Sequence, residues 1–214
     1  MKITVLDDYQ GVVSRLDAVR LLDGLPVSLE VRSERIADEA LLIESLRDTA
    51  CLVLIRERSR ISARVIQALP QLRLIVQTGR LAACIDLEAC RRCGIEVRQG
   101  SGNPVAPTEL TWMLILASSR RLLPYARQLE RGRWQRSAER VEDERLGRVM
   151  HGRTLGIWGF GKIGSRVAAI GRAFGMQVLV HGRAQSRAAV ETADYEFVTE
   201  RREFLARVEV LSLH

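Results

Sequence analysis

A glycine-rich turn is the feature that most restricts the fold of this chain. The turn is the run Gly159-Phe160-Gly161-Lys162-Ile163-Gly164, which matches G-x-G-x-x-G; an apolar strand pattern precedes it, a helical pattern follows it, and another strand pattern begins at Met176. In such a unit Gly159 permits the tight turn, Gly161 lets the backbone approach a pyrophosphate, and Gly164 lets the helix pack close to the sheet. Backbone N–H groups at the helix N-terminus would hold the anion. The six residues are therefore predicted to form a dinucleotide site; the alternative is a glycine-rich turn without a ligand.

The end of the second strand of this unit indicates which dinucleotide binds. A carboxylate at this place usually accepts a hydrogen bond from the ribose 2′-OH of NAD. Gly182 stands there instead, and no Asp or Glu occurs between Gly175 and Val190. Arg183 and Arg187 follow, and guanidinium groups bind a 2′-phosphate that a carboxylate would repel. The pattern favours NADP over NAD, unless the two arginines are only exposed loop residues.

The first hundred residues alternate short strand patterns with longer helical ones. The helical patterns include residues 38–49 and 62–69, and Pro70 ends the second. The strand patterns occupy residues 2–6, 26–32, 50–56, 72–77 and 95–99. This alternation predicts a parallel sheet covered by helices on both faces.

A stretch rich in glycine and proline, residues 100–110, interrupts the alternation. It predicts an inter-domain connection, with one domain in residues 1–101 and another in residues 102–214. Pro107 suits the first position of a helix, which is expected to run to about Glu130.

The second half begins with a charged segment, residues 131–153, that is predicted to be an exposed loop or a frayed helix. Alternation resumes at Thr154 with a strand at residues 154–158, followed by a helix and another strand. A helical pattern at residues 199–208 then leads into a last strand at 208–214. This order predicts the beginning of a doubly wound sheet.

Composition narrows the class of protein and its partners. Hydrophobic residues make up 47% of the 214 residues and charged residues 28%, as in soluble globular proteins. No stretch approaches the roughly 18 apolar residues of a membrane helix, and no signal peptide is evident, so we expect a cytoplasmic protein without a membrane partner. The net charge is +7, but the 33 basic residues, of which only two are lysines, are interspersed with 26 acidic ones. We therefore expect no nucleic-acid partner.

Four cysteines, Cys51, Cys84, Cys90 and Cys93, fit a reducing compartment better than a disulfide framework. Cys90 and Cys93 form a C-x-x-C pair late in a helical pattern, whereas redox pairs normally open a helix. A zinc site would need further ligands that no neighbouring His or Cys supplies. We therefore predict buried or half-buried helix cysteines and no metal site; redox chemistry is the alternative.

Three segments in this order resemble the D-isomer-specific 2-hydroxyacid dehydrogenases, the family of phosphoglycerate dehydrogenases and glyoxylate/hydroxypyruvate reductases. The segments are "LRLIVQTGRLAACIDLEACRRCGIEV", "PTELTWMLILASSRRL" with the later "RGRW", and "GRTLGIWGFGKIGSRVAAIGRAFGMQVLV". The resemblance covers nearly the whole chain, and "HGRAQSR" is similar to the NADP-preferring glyoxylate reductase branch. It implies an α/β fold, with a flavodoxin-like parallel-sheet substrate domain followed by a Rossmann dinucleotide-binding domain that is incomplete at its C-terminal end.

The resemblance also implies a site for a small 2-keto or 2-hydroxy acid. In the family, the loop after the fourth strand presents backbone amides to the substrate carboxylate, and this loop maps onto Gly79, Arg80 and Leu81. Leu81 replaces the usual second glycine of the loop. Arg56, at the end of the third strand, would lie near the cleft; the alternative is a surface arginine.

The family transfers a hydride to C2 of a 2-keto acid with an Arg, a His general acid/base and a Glu. The resemblance implies that these three lie beyond the sequence matched here, so that none of His151, His181 and His214 is catalytic. His181 is expected near the adenosine and His214 near the cofactor ribose. The chain is thus expected to be the N-terminal two-thirds of a dehydrogenase, inactive by itself.

Two hypotheses for the function remain open. The first is an oxidoreductase that transfers a hydride between NAD(P)H and a small 2-keto or D-2-hydroxy acid. The second is a non-catalytic NADP(H)-binding module or sensor on the same fold. A homodimer is expected for the full-length protein, with the apolar crossover helix at residues 108–129 as its interface.

Overall fold

Apolar strands build one parallel sheet in each half of the chain. The computed structural model describes residues 1–81 and 83–214. It divides into two units, Met1–Gly102 and Asn103–His214.

The sheet of the first unit has five parallel strands. These are β1 (Lys2–Leu6), β2 (Ser28–Val31), β3 (Cys51–Leu54), β4 (Leu74–Gln77) and β5 (Glu96–Gln99). Their order in the sheet is β2-β1-β3-β4-β5, and every neighbouring pair is parallel. This is the strand order of flavodoxin-like folds, so the fold class predicted for the first domain is confirmed.

Three α-helices connect these strands: α1 (Glu39–Leu46), α2 (Ala63–Ala68) and α3 (Leu87–Arg92). Each begins after a side-chain cap, because Asp38, Ser62 and Asp86 accept a hydrogen bond from the backbone N–H three residues further on. Only 3-10 turns, at Val13–Arg15 and Asp17–Leu22, occupy the connection from β1 to β2.

The core of the first unit consists of aliphatic side chains between the sheet and these helices. Several of them are almost completely buried, including Leu46, Leu52, Leu54, Ile61 and Ile75. Burying a side chain of this size stabilises the fold by roughly 1.5–3 kcal/mol. The apolar strand patterns were therefore a reliable guide to this sheet.

The sheet of the second unit has four parallel strands. These are β6 (Thr154–Trp158), β7 (Gln177–His181), β8 (Glu196–Phe197) and β9 (Val210–Leu213). Their order is β8-β7-β6-β9. This order corresponds to the first four strands of a Rossmann fold, so the predicted Rossmann class is confirmed. The helices between the strands are α6 (Gly164–Ala173), α7 (Arg187–Thr192) and α8 (Arg201–Arg207).

Two helices precede this sheet, α4 (Val105–Ser119) and α5 (Leu122–Glu130). The prediction of one helix reaching Glu130 was wrong, because Arg121 adopts a left-handed conformation (φ 56°) that interrupts it. The placement of Pro107 at the first helical position was also wrong, since α4 already begins at Val105. Pro107 is tolerated as the third residue because the first backbone N–H groups of a helix have no intrahelical acceptor.

Trp112 connects α4 to the rest of the second unit. Its side chain is buried, its Nε1–H donates to the Val167 carbonyl oxygen at 3.2 Å, and its ring lies 4.8 Å from that of Phe174. The helix that follows the predicted connection therefore packs on the Rossmann core. Within the described ranges, no helix is long and apolar enough to cross a membrane.

The charged segment after α5 has little regular structure, but its side chains hold it in place. Glu144 accepts hydrogen bonds at Oε2 from the backbone N–H of Ser137 (2.8 Å) and from the Ser137 hydroxyl (2.6 Å). Arg136 Nε donates to the other carboxylate oxygen at 2.5 Å. These contacts lower the pKa of Glu144 to about 2, the Ser137 hydroxyl bond contributing most. The segment is thus an ordered loop.

Candidate functional site

The turn after β6 has the geometry that a phosphate-binding loop requires. Gly159 has φ 98°, and its N–H donates to the His181 carbonyl oxygen at 2.8 Å. A Cβ on Gly159 would overlap the carbonyl oxygen of His214. The positive φ disfavours any residue with a Cβ, and the His214 carbonyl oxygen leaves no room for one. Only glycine therefore fits at this position.

The other two glycines differ in their surroundings. A Cβ on Gly164 would overlap the carbonyl oxygen of Gly159 and come within 3.2 Å of the Ile157 side chain, so α6 starts as close to β6 as a backbone allows. A Cβ on Gly161 would meet no atom within 4 Å. The side of the turn next to Gly161 is therefore open to a ligand.

The backbone of the turn carries the donors that an anion needs. In the described part of the chain, no protein acceptor pairs with the N–H groups of residues 160–163. Phe160 and Ile163 turn their side chains toward the apolar core, and the Phe160 ring meets Tyr195 edge to face. Lys162 is exposed. The geometry fits a dinucleotide pyrophosphate held by backbone groups.

The end of β7 brings the predicted specificity residues beside this turn. A Cβ on Gly182 would lie 3.7 Å from the Cα of Gly159. Arg183 follows and is exposed; its carbonyl oxygen accepts from the Ser186 N–H at 2.9 Å, but its guanidinium has no hydrogen-bond or ion-pair partner among residues 1–81 and 83–214. Arg187, the first residue of α7, donates through Nε to Glu191 at 2.7 Å. The two arginines thus differ in how free their guanidinium groups are.

An aromatic group that the sequence did not reveal supports this edge of the second sheet. His181 Nδ1 lies 2.9 Å from the Val198 carbonyl oxygen, its ring stacks on Phe204 at 5.4 Å, and Trp158 meets it edge to face at 4.8 Å. These residues come from β6, β7 and α8, so no local pattern unites them. Together they fix the strand ends on which Gly159 and Gly182 stand.

The predicted substrate loop lies at the corresponding edge of the first sheet. Gly79 and Arg80 follow β4, and a Cβ on Gly79 would meet no atom within 4 Å. The Leu81 N–H donates to Gln99 Oε1 at 3.0 Å, so this amide is already engaged. The Arg56 N–H donates to the Thr78 hydroxyl at 3.3 Å, which brings the end of β3 beside this loop. The Arg56 side chain is exposed.

The other two histidines are held by local contacts. The ring of His151 lies against the Cα of Gly175, where it would overlap a Cβ. His214 Nε2 lies 2.9 Å from the Ser212 hydroxyl, and burial lowers the pKa of this histidine.

The cysteines occupy several environments in the first unit. Cys51 and Cys90 are buried, Cys84 is half-buried, and Cys93, which caps the C-terminus of α3, is exposed. Burial raises the pKa of the Cys51, Cys84 and Cys90 thiols. Within the described ranges, no group of three or more His, Cys, Asp or Glu side chains is arranged to hold a metal ion.

Comparisons with known proteins agree with this geometry. The family model "D-isomer specific 2-hydroxyacid dehydrogenase, NAD binding domain" matches residues 112–214. A glyoxylate reductase of Aeropyrum pernix is 34% identical over 178 residues, which are 82% of this chain and 52% of that protein. A D-3-phosphoglycerate dehydrogenase of Methanocaldococcus jannaschii is 29% identical over 92% of this chain and 36% of its own length.

A solved structure, the phosphoglycerate oxidoreductase of Vibrio cholerae, superposes on the whole chain with a TM-score of 0.89 and 47% identity, and the chain covers 66% of it. The chain spans about half or less of the two curated relatives named above. Both sheet orders, the glycine turn and these similarities lead to one assignment. The chain belongs to the D-isomer-specific 2-hydroxyacid dehydrogenase family.

Proposed function

We propose that this chain binds the cofactor and the substrate in an oxidoreductase that transfers a hydride between NADP(H) and a small 2-keto or D-2-hydroxy acid. The observation that carries the proposal is the turn after β6, with its open side at Gly161 and its backbone N–H groups without protein acceptors. The dinucleotide supplies or accepts the hydride when bound. The turn holds its pyrophosphate at the N-terminus of α6, where the helix dipole favours negative charge.

Two arginines support NADP over NAD. No carboxylate occurs between Gly175 and Val190 to bind the ribose 2′-OH. The exposed guanidinium of Arg183 is not engaged by any described residue, so it can bind a 2′-phosphate without breaking an existing contact. Arg187 donates through Nε to Glu191, and its guanidinium lies 5.9 Å from the centre of the Phe197 ring, so it is less free than that of Arg183. We therefore assign the main phosphate contact to Arg183 and a secondary one to Arg187.

The substrate carboxylate is assigned to the loop after β4. Because the Leu81 amide already donates to Gln99, the amides of Gly79 and Arg80 are the donors of this loop that remain for the anion. The exposed side chains of Arg80 and Arg56 add positive charge at the same strand ends. Charge and directed donors together suit the carboxylate of a small 2-keto acid.

The chain by itself is proposed to bind the cofactor with little or no turnover. Each of its histidines has a local role: His151 packs on Gly175, His181 on Phe204, and His214 beside Ser212. A histidine engaged in this way is poorly placed to exchange a proton with a substrate hydroxyl.

A homodimer is proposed on the basis of an apolar patch on the second unit. We call apolar patch the exposed large apolar side chains of α4, α5 and the loop that follows. They are Val105, Leu110, Met113, Leu114, Leu122, Leu123, Leu129, Trp134, Val141, Leu146 and Val149. So many exposed apolar side chains on one segment are unusual for a monomer and typical of an interface. A second copy of the chain is the proposed occupant.

The proposed activity is tested on protein expressed from the complete gene, by following the loss of NADPH absorbance with glyoxylate and with hydroxypyruvate. Turnover of at least one 2-keto acid is expected. The variant Arg80→Ala should raise the KM more than it lowers kcat, because it removes charge that binds the substrate in both ground and transition state. NADPH binding without turnover of any 2-keto acid would contradict the proposal and favour the non-catalytic module.

A further inference from the structure

The loop that follows β4 is held at its first residue by contacts with the end of β3. The Thr78 N–H donates to the Leu54 carbonyl oxygen at 2.9 Å, which continues the pairing of β3 with β4 by one residue. The Thr78 hydroxyl accepts from the Arg56 N–H at 3.3 Å. Gln77, the last residue of β4, donates through Nε2 to the Arg56 carbonyl oxygen at 2.7 Å. The loop therefore leaves the sheet from a position that these hydrogen bonds fix.

Leu81 fixes the other end of the loop. Its half-buried side chain packs against the aliphatic core of the first unit. Its N–H donates at 3.0 Å to Oε1 of Gln99, the last residue of β5. Leu81 is thus held through its side chain and through its backbone. Only Gly79 and Arg80 lie between the two held ends of the loop.

Gln99 can hold the loop because the end of its own strand is fixed. In the register of β4 and β5, Gln99 pairs with Gln77. The next residue, Gly100, donates its N–H to the Gln77 carbonyl oxygen at 2.8 Å, and a Cβ on Gly100 would lie 3.4 Å from the carbonyl carbon of Thr78. The two strand ends therefore lie close together, and the Gln99 side chain connects β5 to the loop that leaves β4.

A loop that is held at both ends directs the donors between them. Among residues 1–81 and 83–214, no protein acceptor pairs with the N–H groups of Gly79 and Arg80. A Cβ on Gly79 would meet no atom within 4 Å, so the two held ends are what restrict the backbone there. Hydrogen bonds weaken steeply when the donor is misdirected, and a small displacement of a bound substrate lowers the rate of reaction strongly. The contact between Leu81 and Gln99 therefore bears on the reaction.

We propose that Gln99 is a positioning residue for the substrate: its Oε1 holds the Leu81 amide, and this contact directs the Gly79 and Arg80 amides toward the substrate carboxylate. Gln99 acts through the loop and does not itself bind the acid. Because Gln99 is exposed, its substitution removes no core contact. The proposal rests on the proposed function, since the loop is the part of the chain assigned to the keto acid.

Three single variants, made in protein from the complete gene, separate this role from a structural one. Gln99→Met keeps the length of the side chain and removes the acceptor. Gln99→Glu keeps an acceptor and adds a negative charge beside the loop. Gln177→Met is the matched control, because Gln177 is also an exposed strand residue and its side chain has no hydrogen bond within the described ranges. The constants kcat and KM are measured with NADPH and with glyoxylate and hydroxypyruvate, and stability by urea unfolding.

Gln99→Met should lower kcat at least about tenfold, because the substrate carboxylate is then held in the wrong position. Gln99→Glu should raise KM at least about tenfold and leave kcat nearly unchanged, because the loop stays held while the added carboxylate repels the substrate in ground and transition state alike. Gln177→Met should change neither constant.

An unchanged kcat in Gln99→Met, or an unchanged KM in Gln99→Glu, would overturn the proposal. A loss of stability in Gln99→Met that Gln177→Met does not share would also overturn it, since Gln99 would then support the fold and not the position of the substrate.

Hydrogen exchange of the Leu81 amide tests the contact without any turnover. Exchange should be at least about tenfold faster in Gln99→Met than in the wild type, because the amide loses its acceptor. Equal exchange in the two proteins contradicts the role of Gln99, whatever their activity. Faster exchange in Gln99→Met without turnover by the wild type contradicts the proposed function, and with it the role of the loop in the reaction. Normal wild-type turnover with an unchanged kcat in Gln99→Met contradicts the role of Gln99 alone.

Discussion

The carbonyl oxygen of Gly159 lies against the Cα of Gly164, where it would overlap any Cβ. Because the obstacle is backbone, it cannot move aside without changing the turn. Gly164→Ala should therefore lower the free energy of unfolding by at least about 2 kcal/mol, as overpacking in a core does. Urea unfolding followed by circular dichroism measures the change.

Gly161→Ala is the matched control, because a Cβ there enters open space. Its stability should stay within about 0.5 kcal/mol of the wild type. Its affinity for NADPH should fall at least about tenfold, since hydrogen bonds to a charged group contribute roughly 1.5–3 kcal/mol each. Equal free energies of unfolding for the two alanine variants would show that the close packing of Gly159 against Gly164 does not contribute to stability.

Glu144, in the charged segment at residues 131–153, makes the stability of the fold depend on pH. Its hydrogen bonds from Ser137 and Arg136 lower its pKa from 4.5 to about 2. A carboxyl group whose pKa is lower in the folded state stabilises the fold fully above its unfolded pKa. This contribution is lost as the pH falls from about 4.5 towards about 2. The melting temperature of the wild type should therefore fall more steeply in this range than that of Glu144→Gln. Parallel curves would contradict the role of Glu144.

The apolar patch predicts the oligomeric state. Leu114 lies on α4 and is 56% exposed, and Leu21 lies in the first unit and is 78% exposed. Leu114→Glu should turn the dimer into a monomer, because a charge without a partner is costly in an apolar interface. Leu21→Glu should leave the dimer intact. Sedimentation velocity measures both; a monomeric wild type, or a dimer that Leu114→Glu leaves unchanged, would rule out this interface.

Local patterns were sufficient for the strands other than β8 and for the glycine turn. Residues 2–6 and 154–158 were predicted with the bounds that the structure has, because their apolar runs are short and buried. The short strand β8 and the helix α7 were missed, since two and six residues give little periodicity. The break at Arg121 was missed because a left-handed arginine leaves no local signal.

The buried oxygens Asp7 Oδ1 and Gln77 Oε1, which have no hydrogen-bond donor among residues 1–81 and 83–214, were not predictable for a different reason. The two residues are far apart in sequence, and the turn after β3 links them: Gln77 Nε2 donates to the Arg56 carbonyl oxygen, and Arg58 donates to the Asp7 carbonyl oxygen. Nothing in the residues around Asp7 shows that its carboxylate is buried without a donor. Features of this kind depend on the tertiary contacts of several strands, which only the folded sheet brings together.

The central claim is that the Rossmann unit binds NADP(H) with Arg183 at the 2′-phosphate. The most direct measurement is a fluorescence titration of NADPH and NADH against the wild type, Arg183→Ser and Arg202→Ser, the last an exposed arginine of α8. The wild type should bind NADPH at least about tenfold more tightly than NADH. Arg183→Ser should remove this preference by weakening NADPH alone, and Arg202→Ser should keep it. Equal affinities of the wild type for both cofactors, or equal weakening of both by Arg183→Ser, would contradict the claim.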